Sequence, residues 1–240
     1  MIVFRYFVFI SAMLCMTHHA VAKHHATSKS RVTLFTVSPL THAGTVYHAK
    51  AELQKLGYGI QTVDTIWDMS AKHSLIAFQK IDSLPRTGTL ARDVMKALDT
   101  ATRVKARESG RRHIEVDLDR QVLFVVDSAG FVERVLPVSS GSGQHFKVKR
   151  KVVLARTPTG KFKVQRKLEG MHQSPLGLLF YPMFFDGGFA IHGENSVPTT
   201  AASHGCVRIP NYAAIDLWNT TPVGTPVFVY GENPELLDKK

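Results

Sequence analysis

The sequence predicts an α+β protein in which a small three-helix domain precedes a mainly β domain. Between residues 46 and 100, apolar residues recur at steps of three and four, as on one face of a helix. From residue 113 onward they alternate with polar residues or form short apolar runs, as in strands. Residues 101–112 are polar and rich in arginine, and we expect a basic linker there.

The N-terminal segment has the pattern of a signal peptide. Arg5 is the only charge before an apolar run from Tyr6 to Met16, and residues 20–22 read Ala-Val-Ala. We expect cleavage after residue 22 and export of the protein, with an uncleaved anchor as the alternative. The apolar run is too short to cross a bilayer comfortably, so no stable membrane span is expected after cleavage. Residues 23–45 predict a flexible leader.

Composition limits the choice of partner. The 240 residues carry a formal charge of +11 with a pI near 9.8, which favours an anionic partner such as nucleic acid, a membrane or an acidic polymer. Nucleic acid is not expected, because the basic residues are scattered and no recognition motif occurs. Once the signal peptide is removed, Cys206 is the only cysteine. An unpaired thiol in an oxidising compartment indicates a reactive role.

Three helices are predicted in the first domain. The first runs from Val46 to Leu56 and stops at Gly57. The second opens at Ser70 and ends near Asp82, and the third follows Thr89. Short helices with one apolar face each can close one small core.

The second domain, residues 113–231, is predicted from period-two segments and ends in a polar tail, residues 232–240. The predicted elements are strands at 114–118, 122–126 and 131–138, a loop or hairpin at 145–151, a strand around Phe162 and Val164, an aromatic-rich segment at 176–189, a helix capped by Asn211 and a last strand at 227–230. Core packing is the default for the aromatic residues, but some of them, Tyr181 included, are expected to line the wall of a cleft.

Residues 190–209 contain the candidate chemistry. A cysteine attacks as its thiolate, so we expect the pKa of Cys206 to be lowered by positive charge or a histidine. His192 is the favoured base, because the chain between it and Ser203 can fold back and bring two strand ends together. His204 either takes part or only shapes the turn. Backbone N–H groups of the turn at Ser203, His204 and Gly205 are candidates to stabilise an oxyanion.

The same residues allow other interpretations. His192, His204 and Cys206 are also a conceivable zinc site, but it needs a fourth ligand or a water and lacks the usual ligand spacing, so neither a metal nor a cofactor is expected. Asp186 and Glu194 are candidates to orient His192, although a solvated surface position is the ordinary one for a carboxylate.

At these residues the chain resembles the L,D-transpeptidases with a YkuD-like catalytic domain, whose signature is His-Gly followed by Ser-His-Gly-Cys. The resemblance extends over most of residues 113–231. It implies that Cys206 is the nucleophile, His192 the base and the Gly193 carbonyl the group that orients it. The ten-residue spacer after His192 is short for the family, and Arg208 stands where many members carry asparagine. We expect a shortened loop over the site and an altered contact with a substrate carboxylate.

Residues 53–58, 77–80 and 84–88 resemble a helical peptidoglycan-binding domain. Residues 64–68 read Asp-Thr-Ile-Trp-Asp and lack both glycines of that family's turn, so a docking or spacer role is the alternative. Together the resemblances imply an exported enzyme of the periplasm or cell wall that acts on peptidoglycan stem peptides and glycan. It would form a thioester, release the terminal D-alanine and cross-link stems. An L,D-carboxypeptidase and a non-catalytic wall-binding scaffold are the alternatives, and the sequence predicts no oligomeric state.

Overall fold

A computed structural model describes residues 42–148 and 150–233. The predicted signal peptide, the leader up to residue 41 and the tail from residue 234 lie outside these residues. Within them the helices are α1 (Ala43–Lys55), α2 (Met69–Ile81), α3 (Arg92–Thr100) and α4 (Asn211–Thr220). None of these is long and apolar enough to traverse a bilayer.

The three N-terminal helices, together called the helical unit (residues 43–100), match the predicted segments. Helix α1 begins at Ala43, ahead of the predicted start, and α3 begins at Arg92. Helix α2 begins after Asp68, whose carboxylate accepts a hydrogen bond from the Ala71 N–H and so caps the first turn. Helix α4 departs from prediction, because Pro210 precedes it and the Asn211 side chain makes no cap. The Asn211 amide donates to Asn195 Oδ1 instead.

The strands form two larger sheets and one hairpin. They are β1 (His113–Asp117), β2 (Val122–Val126), β3 (Val132–Pro137), β4 (His145–Val148), β5 (Lys151–Leu154), β6 (Gly160–Lys163), β7 (Arg166–Lys167), β8 (Met171–Ser174), β9 (Gly177–Asp186), β10 (Phe189–Glu194), β11 (Val207–Pro210) and β12 (Pro226–Tyr230). One sheet has the order β3-β2-β1-β12-β6, and the other has the order β11-β10-β9-β7, with β8 also paired to β9. Strands β4 and β5 form a hairpin by themselves.

One apolar core is shared by both larger sheets and α4. Leu123 and Val125 of β2 contribute to it from the first sheet, Ile191 of β10 from the second, and Leu217 from the helix. Because successive strand residues point to opposite faces, one face of each strand supplies this core. The α+β class and the mainly β second part are thereby confirmed.

The continuous apolar run of β2 is explained by burial on both faces. Val122, Phe124 and Val126 point away from the sheet core and join a second core with Leu75 and Phe78 of α2. A strand buried on both faces loses its polar alternation. The helical unit and the first sheet therefore share one hydrophobic core.

The helical unit also covers the edge of the first sheet. The Gly59 N–H donates to Val135 O, and the Val135 N–H donates to Gly57 O, so this segment runs along β3. A Cβ at Gly59 would lie 2.8 Å from Leu136 Cδ2, which explains why this position is occupied by glycine. The outer edge of β3 is thereby paired.

Candidate active site

Two neighbouring parallel strands carry the principal site residues. In the pairing of β10 with β11, Ile191 lies opposite Val207 and His192 lies opposite Arg208. Cys206 comes two residues before Arg208, so its side chain emerges on the same face of the sheet. Cys206, His192 and Arg208 line one cavity of about 560 Å³. The fold thus brings residues fourteen positions apart to adjacent strand ends, as the sequence predicts.

The His192 ring is held in one tautomer. Its Nδ1 lies 2.8 Å from Gly193 O, and a carbonyl only accepts, so Nδ1 carries the proton and Nε2 the lone pair. The side chain is 3% exposed, and burial lowers its pKa despite that hydrogen bond. Gly193 lacks a side chain where a Cβ would lie 2.6 Å from Asn211 Oδ1 and 2.9 Å from Ala214 Cβ. Helix α4 therefore packs directly behind the histidine.

Burial raises the pKa of the Cys206 thiol, and neither the Ala190 backbone nor the Arg208 charge reverses this shift. The thiol lies 3.8 Å from Gly188 O, and within the described residues no hydrogen bond joins it to the His192 ring. The expectation of a lowered thiol pKa is therefore wrong for the free protein, because desolvation disfavours both charged forms. At neutral pH the pair consists of a thiol and an uncharged imidazole.

The turn before the nucleophile is fixed by its own hydroxyl. Ser203 Oγ donates to Cys206 O at 2.6 Å and accepts from the Gly205 N–H at 2.9 Å. Thr157 Oγ1 donates to Gly205 O at 2.8 Å from outside the turn. Gly205 has a φ of +134°, and a Cβ there would lie 2.5 Å from a ring carbon of Phe189. Glycine is therefore required next to the cysteine.

The predicted oxyanion donors need one correction. The Ser203 N–H donates to Ser140 O, and the Gly205 N–H is taken by Ser203 Oγ, so neither is available to a ligand. Among the described residues, the N–H groups of His204 and Cys206 have no hydrogen-bond partner. Ser203 and Gly205 thus shape the turn, and the donors that remain belong to its other two residues.

Comparisons with known proteins agree with this geometry. A family model for the L,D-transpeptidase catalytic domain (YkuD) matches residues 111–229. The crystal structure of the L,D-transpeptidase (residues 123-326) from Xylanimonas cellulosilytica DSM 15894 is 37% identical, covering 81% of this chain and 94% of that one, with a TM-score of 0.74. The chain belongs to the L,D-transpeptidase family.

A second similar structure is the L,D-transpeptidase (Yku) from Stackebrandtia nassauensis. It is 21% identical, the match covers 82% of this chain and 99% of that one, and the TM-score is 0.48. No curated protein matches the chain. Membership of the L,D-transpeptidase family makes the chain a peptidoglycan-modifying enzyme.

Two residues that the sequence predicts for the site of this L,D-transpeptidase family member, Tyr181 and His204, have side chains that pack on other aromatic rings. Tyr181 does not line the cavity, because it packs on Phe180 and Trp218 at centroid distances of 4.8 and 5.5 Å. His204 lines the cavity, but its ring is exposed and lies 4.6 Å from the Phe146 ring. In the part of the chain that the structure describes, no cluster of His, Cys, Asp and Glu has the geometry of a metal site.

Two arginines give the cavity a positive wall. Arg208 Nε lies 3.8 Å from Glu194 Oε2, which is a loose contact, and Glu194 does not hydrogen-bond His192. Arg166, which sequence reasoning missed, stacks its guanidinium 3.5 Å from the Phe184 ring centroid. Guanidinium groups bind carboxylates in a two-point geometry. In the sequence, Arg166 resembles the other basic residues on this stretch, so no signal marked it.

The cavity is flanked by two hairpins. Phe146, Val153 and Leu154 line it from the β4–β5 hairpin, and Leu176 and Leu178 line it from β8–β9. The predicted loop or hairpin around residues 145–151 is thus a hairpin. Leu176 and Leu178 are about half exposed, which is unusual for leucine and fits a wall that closes on a ligand.

Proposed function

We propose that the protein is an exported L,D-transpeptidase that cross-links peptidoglycan stem peptides through a thioester at Cys206. The observation that carries this proposal is that Cys206 and His192 line one cavity from adjacent parallel strands. The unprotonated Nε2 of His192 can accept the thiol proton, because its Nδ1–H is already bound to Gly193 O.

In the first half-reaction the base and the nucleophile act together. Because both groups are uncharged in the free protein, His192 Nε2 removes the Cys206 proton as the sulfur attacks the carbonyl of the third stem residue. The N–H groups of His204 and Cys206 are the candidate donors to the resulting oxyanion. Collapse breaks the bond to the terminal D-alanine, whose amine takes the proton from His192, and leaves the thioester.

The second half-reaction decides the outcome. An amine of another stem attacks the thioester carbonyl, His192 takes the proton of that amine and returns it to the departing sulfur, and a cross-link forms. If water attacks instead, the same site is an L,D-carboxypeptidase. Both outcomes share the acyl-enzyme, so product analysis is needed to distinguish them.

Charge supports a substrate that carries carboxylates. Arg166 and Arg208 line the cavity, and we assign them to carboxylates of the donor stem. The net charge of +11 also suits an anionic cell wall in the periplasm or outside the cell. Stem peptides are the proposed partners of the cavity, and glycan is the proposed partner of the helical unit.

The test is an intact-mass time course with a defined tetrapeptide stem, with and without an acceptor stem. We expect a mass increase equal to the stem minus D-alanine, followed by a cross-linked product when acceptor is present. Hydrolysed product alone would assign the carboxypeptidase. No mass increase in the wild type would leave the wall-binding scaffold as the explanation. The same time course on His192→Ala tests the base. Replacement of the exposed His48, which lies in the helical unit, is its matched control.

A further inference from the structure

Lys80 is a buried lysine that has no carboxylate partner among the described residues. It lies in the last turn of α2, is 2% exposed, and donates from Nζ to Gln121 O at 3.0 Å and to Val138 O at 2.8 Å. Burial and, to a lesser degree, Arg86 lower its pKa to about 7. Burying a lysine costs free energy of folding unless hydrogen bonds compensate for the hydration that its ammonium group loses.

A second buried lysine of the helical unit shows the usual solution. Lys50 is fully buried, and its Nζ lies 2.7 Å from Asp64 Oδ1 and 2.7 Å from Asp68 Oδ2. It also donates to Ile66 O at 2.9 Å, so all its contacts remain within the helical unit. Lys80 differs because both of its acceptors lie outside the helical unit, on the residues that precede β2 and follow β3 in the first sheet.

The two acceptors of Lys80 are the carbonyls of Gln121, just before β2, and of Val138, just after β3. Val138 is followed by Ser139 and Ser140, which contact the chain around Cys206. The Val138 N–H donates to Gln121 O, and the Gln121 side chain accepts from the Ser140 N–H at 2.9 Å and donates to Ser140 Oγ at 2.7 Å. Lys80 therefore joins the start of β2 to the chain that follows β3. The next residues of that chain contact the active site.

Ser139 and Ser140 hold the nucleophile turn from both sides. The backbone of Ser139 exchanges two hydrogen bonds with Arg208, each 3.1 Å long, and Ser140 O accepts from the Ser203 N–H at 2.8 Å. Ser139 Oγ also accepts from the Ala202 N–H at 3.0 Å. These contacts enclose Cys206 between Ser203 and Arg208.

A second contact of the helical unit is made with the loop that precedes the nucleophile turn. Arg86, between α2 and α3, donates from its guanidinium to Thr199 O at 3.1 Å. Thr199 lies in the short loop that connects β10, the strand of His192, to the turn of Cys206. Arg86 thus contacts the loop before the nucleophile turn directly, whereas Lys80 contacts Val138, the neighbour of the Ser139 that pairs with Arg208.

We propose that Lys80 is a positioning residue for the Cys206 turn, and that through Lys80 and Arg86 the helical unit forms part of the catalytic framework. This inference rests on the proposed function for its kinetic readout. Lys80 contacts neither the cavity nor the thiol, so its effect passes through Val138, Ser139 and Ser140 to the strand that carries Arg208. A displacement of the turn by a fraction of an ångström weakens attack and oxyanion stabilisation without removing a reacting group.

The test compares Lys80→Met with Lys50→Met, since each removes one buried ammonium and keeps an apolar side chain of similar length. Both variants are made in the full chain with Cys15→Ala and are assayed where circular dichroism shows them folded. For Lys80→Met we expect kcat for acylation by a tetrapeptide stem to fall at least tenfold, with KM changed less than threefold. For Lys50→Met we expect both constants to stay within threefold of the wild type.

A second readout does not depend on activity. Hydrogen exchange of the Ser203 and Arg208 amides, which donate to Ser140 O and Ser139 O, should accelerate at least tenfold in Lys80→Met and not in Lys50→Met. Equal effects of the two variants on these amides and on kcat would overturn the proposal. If the wild type forms no acyl-enzyme, the proposed function fails, and amide exchange alone decides the role of Lys80.

Should Lys80→Met not fold, Arg86→Gln provides the same test at the second contact. It removes the guanidinium that reaches Thr199 O and leaves the buried core intact. We expect a fall in kcat of about threefold to tenfold, with faster exchange at the Ser203 amide. Wild-type kinetics and exchange in Arg86→Gln would contradict the proposal.

Discussion

Two buried clusters of ionisable side chains lie on the two larger sheets, and they differ in how completely their polar atoms are paired. Glu115 of β1 is fully buried and accepts hydrogen bonds from the backbone of Arg107 and Glu108, from His113 Nε2 and from Tyr230 OH. Every one of these distances is 3.0 Å or less.

The Cys206 and His192 pair has the opposite arrangement. Its thiol contacts the Gly188 carbonyl at 3.8 Å and the Ala190 backbone, and among the described residues only Nδ1 of the His192 ring is hydrogen-bonded. Buried polar groups are normally hydrogen-bonded, so atoms left open toward a cavity indicate a place for a ligand. Glu115 and its donors, here called the saturated cluster, fix the linker to the sheet. Cys206 and His192, here called the open cluster, are left able to contact a substrate.

The largest effect is expected from removing a member of the open cluster. Cys206→Ala should abolish acyl-enzyme formation, because no other group supplies the nucleophile, and His192→Ala should lower its rate by about 10²–10⁴-fold, as expected for loss of a general base. Neither should lower thermal stability by more than a few degrees. Intact mass and a melting curve measure the two quantities, and an acyl-enzyme in Cys206→Ala would refute the assignment.

The saturated cluster should respond in stability rather than chemistry. Glu115→Ala leaves several buried donors without an acceptor, each costing about 1–3 kcal/mol, so we expect the free energy of unfolding to fall by about 3 kcal/mol or more. Glu115→Gln keeps one acceptor and is the milder control. Urea denaturation measures the change, and an alanine variant as stable as the wild type would show that the network is not structural.

Lys80 is an intermediate case, and its pH dependence distinguishes it from both clusters. The folded pKa is about 7 and the ordinary value is 10.5, so between these values the unfolded chain binds more protons at this residue. The stability of the wild type relative to Lys80→Met should therefore rise with pH over that interval, by up to about 1.4 kcal/mol per unit. Urea midpoints of both proteins at several pH values measure this difference. A difference that is constant across the interval would contradict the buried, unpaired lysine.

The smallest effect concerns the free thiol. Since burial raises the pKa of Cys206, alkylation by iodoacetamide should be slow at neutral pH and should reach half its maximum at a higher pH than a small thiol in the same buffer. Cys15→Ala is used throughout so that one thiol is measured. A plateau already reached below neutral pH would indicate a preformed ion pair with His192 and would restore the expectation from the sequence.

The sequence allowed a good part of this molecule to be predicted, for identifiable reasons. Helix α2 carries both a cap at Asp68 and an apolar face, and β1 alternates cleanly, so local signals sufficed. The site was predictable because Cys206 is the only cysteine after the predicted signal peptide and the neighbouring residues carry a family signature.

The rest depended on packing, which local patterns do not contain. Lys80 falls in an ordinary helical pattern as a residue expected to be solvated, and only the docking of α2 on the sheet buries it. Tyr181 belongs to an aromatic-rich strand whose residues point to both faces, so composition alone does not select those that reach the cavity. The thiol pKa was mispredicted because desolvation depends on the surrounding fold.

The pairing of Gly57–Gly59 with β3 has a consequence for how this enzyme can be divided. A β-strand with free N–H and C=O groups along its outer side invites pairing with another chain, and Val122, Phe124 and Val126 would add an uncovered apolar face beside it. A fragment cut at the linker would present both features at once and would tend to self-associate. The N-terminal helices thus serve the rest of the chain as a built-in safeguard against aggregation.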